Sequence, residues 1–264
     1  MATKTLGGFV VVRQGISLDY CFELALLSLL PVCDEVIACD ADSDDGTRHR
    51  LNELADAHPK LRVINWPWRD PKGQSHHGFL RWLNFARMHL TTDCQITLDA
   101  DEVLDDNPLC HLVIRDALQT DNPARKFDRL NFWQDPRHLI PEGHCCGKIV
   151  ARMGPADWKM HSDEPHQDDG DDWRMVERSV FHPDLRIFHL GFLRRRDAFY
   201  DKNKIIARMW NGPDQPRDPR LIAGEERGLE LWQTECAYAD QLVHYTGDFP
   251  AGVKAWLLER GHAC

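Results

Sequence analysis

The chain has 264 residues, with 32 Lys plus Arg against 42 Asp plus Glu, a formal net charge of −10. That length suits one large domain or two small ones and lets a sizeable core form without staples, while the acid excess argues against a general electrostatic affinity for nucleic acid or an anionic membrane, leaving only a local basic patch open. A hydrophobic content of 42% and a charged content of 28% exclude wholesale disorder and fibrous repeats.

The longest apolar stretches, Phe9–Val12 and Leu24–Leu27 with Leu29–Val32, fall far short of the ~18–20 residues of a membrane span. The N-terminus lacks the apolar core and cleavage site of a signal peptide. The nine cysteines are odd in number and contain no C-x-x-C pair, which points to a reduced, cytoplasmic protein, with the inner face of a membrane as a peripheral alternative. His144-Cys145-Cys146 has no second Cys/His pair at finger or ribbon spacing, so buried thiols in a loop or strand edge are favoured there over zinc.

In chain order, the β-branched run Gly8–Val12 predicts a strand, and apolar spacings of three and four predict a helix over Leu18–Leu30. Glu35–Cys39 reads as a second strand ending in Asp40, Thr47–His58 as a helix, and Leu61–Ile64 as a third strand. A helix over Gly78–Leu90 and a fourth strand over Cys94–Leu98 follow. This alternation predicts an α/β protein with a Rossmann-like, mainly parallel sheet flanked by helices, and ligands at the carboxyl ends of its strands. Beyond about residue 122, strands over Arg129–Trp133, Lys148–Met153 and Leu185–His189 suggest an α+β half built on the same sheet. The acidic stretch His161–Trp173 reads as a solvated loop or a functional one. Helices are expected over Asp197–Trp210, Glu225–Tyr238 and Ala251–Arg260, with Asn211–Arg220 as a surface loop.

The acids are informative by position. Asp40, Asp99 and Asp101 all follow strands directly, which brings carboxylates to one edge of a parallel sheet. Side chains alternate along an extended chain, so Asp99 and Asp101 share a side. Carboxylates converging in this way need a cation between them, and hard divalent ions take one or two carboxylates plus phosphate oxygens. Asp-x-Asp alone also fits a solvated turn, as Asp40-Ala41-Asp42 illustrates; the apolar strand before each acid favours the site.

The block Asp34-Glu35-Val36-Ile37-Ala38-Cys39-Asp40-Ala41-Asp42-Ser43-Asp44-Asp45-Gly46-Thr47, with Leu98-Asp99-Ala100-Asp101-Glu102-Val103-Leu104 after it, resembles the paired signature of family 2 glycosyltransferases of GT-A fold. The first block matches the D-x-G-S-x-D-G-T pattern at Asp40, Ser43, Asp45, Gly46 and Thr47, and carries Asp42 where glycine is usual. The second matches the L-D-A-D-E form throughout. The segment Phe188-His189-Leu190-Gly191-Phe192-Leu193-Arg194 resembles small bacterial lipooligosaccharide-core-type transferases. The motifs cover about residues 7–105 closely and the C-terminal half loosely.

The resemblance implies a single GT-A domain, with a nucleotide-sugar half over about 7–122 and an acceptor half over about 123–264. It implies a metal-dependent, inverting transfer of a sugar from a nucleotide-diphosphate donor to a saccharide or other hydroxyl acceptor. Asp40 would hold a uracil or guanine edge and Arg13 line the base pocket. Asp99 would contact the ribose or the metal shell, Asp101 ligate Mn²⁺ or Mg²⁺, and His189 complete the metal or diphosphate site; as a strand-end residue, His189 also has a plain structural reading. Arg194 and Lys202, within the basic run that includes Arg195, Arg196 and Lys204, would neutralise the diphosphate, or else begin a solvated helix. Glu164, then Asp163, are the candidate bases, and Trp133, Trp158 and Trp173 would flank the acceptor or lie in the core. A cell-surface saccharide is the favoured acceptor; a protein or a modified DNA base is the alternative. Two rivals remain open. A nucleotidyltransferase or phosphatase lacks support because Gly7-Gly8 is too short for a phosphate loop and the first strand carries no paired aspartates. A non-catalytic binding protein on a transferase-like scaffold would turn over no nucleotide sugar.

Overall fold

A computed structural model describes residues 3–66, 76–141, 149–161, 164–166, 179–199, 201–202, 205 and 241–262, with backbone alone for 76–80, 161 and 164–166. The apolar runs pair as expected. β1 (Leu6–Val12) lies between β2 (Glu35–Asp40) and β4 (Cys94–Leu98), and β3 (Leu61–Asn65) flanks β2, all four strands parallel. The chain steps outward from β1 to β2 and β3, then returns to the other side of β1 as β4. Strand order therefore reverses between β1 and β4, and such a switch point opens a crevice beyond the carboxyl ends of the strands.

The intervening helices are α1 (Phe22–Leu29), α2 (Thr47–Ala57), α3 (His76–Arg87) and α4 (Pro108–Leu118). Alternation along β1 decides which face each one covers. Leu6, Val10 and Val12 pack with Phe22, Leu26, Leu51 and Ile114 on one face, whereas Phe9 packs with Leu83 and Ala86 on the other. Burying both faces makes the sheet the centre of the core.

Beyond β4 the pairing becomes antiparallel. β5 (Glu102–Leu104) is followed by β6 (Arg125–Trp133), β7 (Asp135–Leu139) and β8 (Ile149–Pro155), and β8 joins β4 to β6. A hairpin of β9 (Lys159–His161) and β10 (Glu164–His166) comes next. β11 (Val180–His189) runs parallel to β6 and antiparallel to β5, and β12 (Val243–His244) pairs with β7. Among the described residues the main sheet has ten strands. The last helix, α5 (Ala251–Glu259), buries Val253, Trp256 and Leu257 against Phe132 and Phe188.

One helical expectation is corrected, and one further helix is present. The helix expected from Leu18 begins at Phe22, because residues 14–20 form a tight loop with Gln14 and Asp19 both at φ 52°. α4 was not anticipated; its start is encoded locally by Asn107, whose side chain accepts from the Leu109 N–H, and by Pro108 in the first turn. Residues 196–199 and 201–202 are helical, as expected for the segment from Asp197. The expectations for His144–Cys146, most of His161–Trp173, Lys204, Asn211–Arg220 and Glu225–Tyr238 lie outside the described residues.

Cys21, Cys33, Cys39, Cys94 and Cys110 are free and buried, and burial pushes the Cys39 and Cys110 thiols up to about 12. Only thiolate reacts readily with alkylating agents. These five cysteines should resist iodoacetamide at pH 8 in the folded protein and label fully in guanidinium, as read by peptide mass mapping.

Candidate functional site

The carboxyl ends of β1, β2 and β4 carry Arg13, Asp40 and Asp99 to one edge of the sheet, with Asp101 in the turn that leads into β5. At the β2 end, Asp40 is fully buried and its carboxylate accepts from Arg48 Nε at 2.7 Å and from the Ser43 N–H at 3.3 Å. Arg48 also donates to Asn65 at the end of β3. Burial lowers the Arg13 guanidinium from its ordinary value against the pull of Asp42, Asp44 and Asp40.

The Ser43–Thr47 block clasps the loop after β1. Ser43 Oγ accepts from the Gln14 N–H, Gln14 and Asp44 exchange two hydrogen bonds, and Asp45 accepts from the Ser17 N–H at 2.7 Å. Thr47 Oγ1 donates to Asp45 and accepts from the Ile16 N–H. Asp42, standing where glycine is usual in the resembled pattern, takes φ 62°. Asp is among the non-glycine residues that tolerate this left-handed region, so the turn is kept despite the substitution. Gly46 follows at φ 94° and starts α2.

Asp101 is the centre of the site. It is buried, and its Oδ2 accepts from Arg194 Nη2 at 2.5 Å and from Lys202 Nζ at 2.8 Å. Burial would raise its carboxyl, but Lys202 and Arg194 outweigh burial and hold it well below the usual carboxylate range. β11 delivers His189 opposite Glu102 in the β5 ladder, and the Leu190 N–H donates to the Asp101 carbonyl. His189 Nε2 then stands 3.8 Å from Asp101 Oδ1, beyond hydrogen-bond distance. Burial pushes the imidazole down to about 4 against the pull of Asp101, so the ring is neutral at pH 7. Its Nδ1 is buried with no hydrogen-bond partner among the described residues.

A Cβ on Gly191 would come within 2.6 Å of both Asp101 Oδ2 and His189 Nε2. Glycine thus leaves a cradle between a carboxylate and a neutral imidazole, a donor pair that suits a divalent ion such as Mn²⁺. Among the described residues no three His, Cys, Asp or Glu side chains converge for metal binding. An ion held here would rest on Asp101 and His189 and draw its other oxygens from phosphate and water, as Mg²⁺-type sites commonly do.

Asp99, expected at the ribose or in the metal shell, accepts from Arg152 Nη2 at 2.9 Å. Arg152, wholly buried on β8, also donates to Glu102, which accepts in turn from Arg129 and from the Asp99 N–H. Burial would raise the Glu102 carboxyl, but Arg152 and Arg129 lower it further than burial raises it. Arg152, Arg129 and Arg48 were missed from the sequence because their isolated positions match no local pattern; only Arg48, one residue into the helix after the Asp45-Gly46-Thr47 block, carried a positional hint.

The remaining expected site residues divide. Arg194, expected on the diphosphate, spends its buried guanidinium on Asp101, the Gly191 carbonyl and the Leu18 carbonyl. Lys202 reaches Asp101 from the helix that follows. Trp133 and Trp158 are buried, Trp133 against Phe192. Asp163 and Trp173 lie outside the described residues, as does the Glu164 side chain, although Glu164 pairs with His161 in the β9–β10 hairpin.

No known protein-family model and no curated protein matches the chain. Among solved structures it is similar to the mannosyltransferase PcManGT from Pyrobaculum calidifontis, in complex with GDP-Man and Mn²⁺. The identity there is 16%, with 99% of this chain and 80% of that one covered and a TM-score of 0.46. It is also similar to S. aureus TarS 1-349, at 11% identity over 90% of this chain and 74% of that one, with a TM-score of 0.45. Glucosyl-3-phosphoglycerate synthase from Mycobacterium tuberculosis, in complex with Mn²⁺, UDP and glucosyl-3-phosphoglycerate, matches at 18% identity over 49% of this chain and 44% of that one, with a TM-score of 0.32. Similarity of this degree leaves the function to the residues at the strand ends.

Arg152→Met removes two charge-assisted hydrogen bonds but leaves Glu102 its pair with Arg129. It should therefore cost about 1.5–3 kcal/mol in urea unfolding. Hydrogen bonds from Ser17 and Thr47 outweigh burial and lower the Asp45 carboxyl. The stabilisation from Asp45 is therefore complete above the ordinary aspartate value of about 4 and is lost as pH falls through the lowered folded value. The urea midpoint of the native protein should fall more steeply through that acid window than that of Asp45→Asn.

Proposed function

We propose that the chain is a GT-A glycosyltransferase that moves a sugar from a nucleotide-diphosphate donor to a hydroxyl acceptor, with a cell-surface saccharide as the acceptor class. The observation that supports this reading most is the Asp101–His189 cradle at the strand-order switch point, backed by Arg194 and Lys202. A carboxylate, a neutral imidazole and nearby cations at the edge of a parallel sheet suit a diphosphate carried with a divalent ion. A bound Mn²⁺ or Mg²⁺ would act as a Lewis acid on the diphosphate leaving group.

The protein's own residues take the other roles in this reading. Asp101 and His189 would hold the ion, Asp99 would meet the ribose side of the donor, and Arg13 and Asp40 would border the nucleobase. Asp40 is occupied by Arg48, so base recognition in this reading involves the Asp40–Arg48 pair as a unit. Arg194 keeps Asp101 ionised and aimed, and Lys202 neutralises charge on the departing diphosphate. Glu164, or Asp163 beside it, would take the acceptor's proton in an inverting displacement.

A panel of UDP- and GDP-sugars incubated with Mn²⁺ or Mg²⁺ tests this reading through release of UDP or GDP. At least one donor should be consumed, chelation with EDTA should stop its consumption, and Asp101→Asn should reduce turnover at least about a hundredfold. Failure of every donor in the presence of metal would overturn this reading.

A further inference from the structure

Two cations reach the same oxygen of Asp101, and they are held in different ways. The side chain of Arg194 is 1% exposed, and its guanidinium also satisfies the Leu18 and Gly191 carbonyls. Displacing it would strand two backbone acceptors, which is costly in a buried setting. The side chain of Lys202 is 19% exposed, and its ammonium meets Asp101 at 2.8 Å and the Tyr20 ring at 5.2 Å from the centroid. A lysine ammonium on its flexible stem can turn to another anion, and an aromatic face offers it a further seat.

Both cations repel a dication on Asp101 in a poorly screened site, and of the two only Lys202 can leave the carboxylate without stranding backbone carbonyls. Building on the metal reading above, we infer that Lys202 is a displaceable counter-ion of Asp101. It neutralises the carboxylate when no donor is bound, and it yields Asp101 to a divalent ion when a nucleoside diphosphate supplies the negative charge to which the ammonium turns. Arg194 stays in place throughout as a positioning residue. Metal and nucleotide consequently bind as a pair, and the metal alone binds weakly. The same movement couples the helix that carries Lys202 to occupation of the donor site.

The test is Mn²⁺ binding by the full chain, read from loss of the free-ion electron paramagnetic resonance signal with no nucleotide, with UDP and with GDP. Native protein should bind Mn²⁺ alone at least about tenfold more weakly than with whichever nucleotide it accepts, and Lys202→Met should tighten binding of Mn²⁺ alone about tenfold while weakening the nucleotide. Lys202→Arg, which keeps the charge, should bind Mn²⁺ alone as weakly as the native protein. Thermal melting of each variant confirms folding. If Asp101→Asn abolishes Mn²⁺ binding while Lys202→Met leaves it unchanged or weaker, the counter-ion role is overturned and the metal reading stands. If Asp101→Asn leaves Mn²⁺ binding intact in both the native and the Lys202→Met backgrounds, the metal reading fails and the inference falls with it.

Discussion

The site depends on keeping one carboxylate ionised inside the protein. Asp101 is buried at the strand-order switch point, where desolvation opposes its charge, and Lys202 and Arg194 offset that cost with ion pairs. Because the same guanidinium bonds the Leu18 and Gly191 carbonyls, it ties the loop after β1 and the turn after β11 to the acid between them. Three segments distant in sequence are thereby fastened to one charge.

The loop of residues 14–20 is the second consequence of that fastening. It is gripped from one side by Ser43, Asp44, Asp45 and Thr47, and from the other by Arg194, Arg195 and Arg260, with Asp19 accepting from both the Arg195 N–H and Arg260. The Ser43–Thr47 block thus works as a clasp that shapes the crevice floor. The loop in turn places Tyr20 beneath Arg194 and Lys202. A parallel network of Glu102, Arg129 and Arg152 fixes Asp99 on the other side of the turn. Every acid of the Asp99–Glu102 turn therefore has a cationic partner, and that matching lets three carboxylates crowd one edge of an apolar sheet.

Much of the first hundred residues was legible in the sequence, because their order is local. Short apolar runs place β1 to β4 within a few residues of where they lie, and the helix spacing of Leu51, Leu54 and Ala55 places α2. The start of α1 is not legible, because the apolar periodicity continues upstream to Leu18 although tertiary hydrogen bonds hold that stretch as a loop. α4 starts on a local Asn107-Pro108 signal. In the candidate site, Asp40, Asp99 and Asp101 stand at or just beyond strand ends, and His189, Arg194 and Lys202 lie near Asp101. The partners of those residues were not legible.

The sequence by itself determined the α/β class, the parallel first half and the strand ends at which the acids stand, since each follows from side-chain period and chain direction within a few residues. Tertiary structure alone decided how each acid is neutralised. Arg152 reaches Asp99 from β8, Arg48 covers Asp40 from α2, and Arg194 and Lys202 share a single oxygen of Asp101. Charge matching in a buried site is set by distances of a few ångströms between segments far apart in the chain, so it leaves no periodic or spaced signature for the sequence to carry.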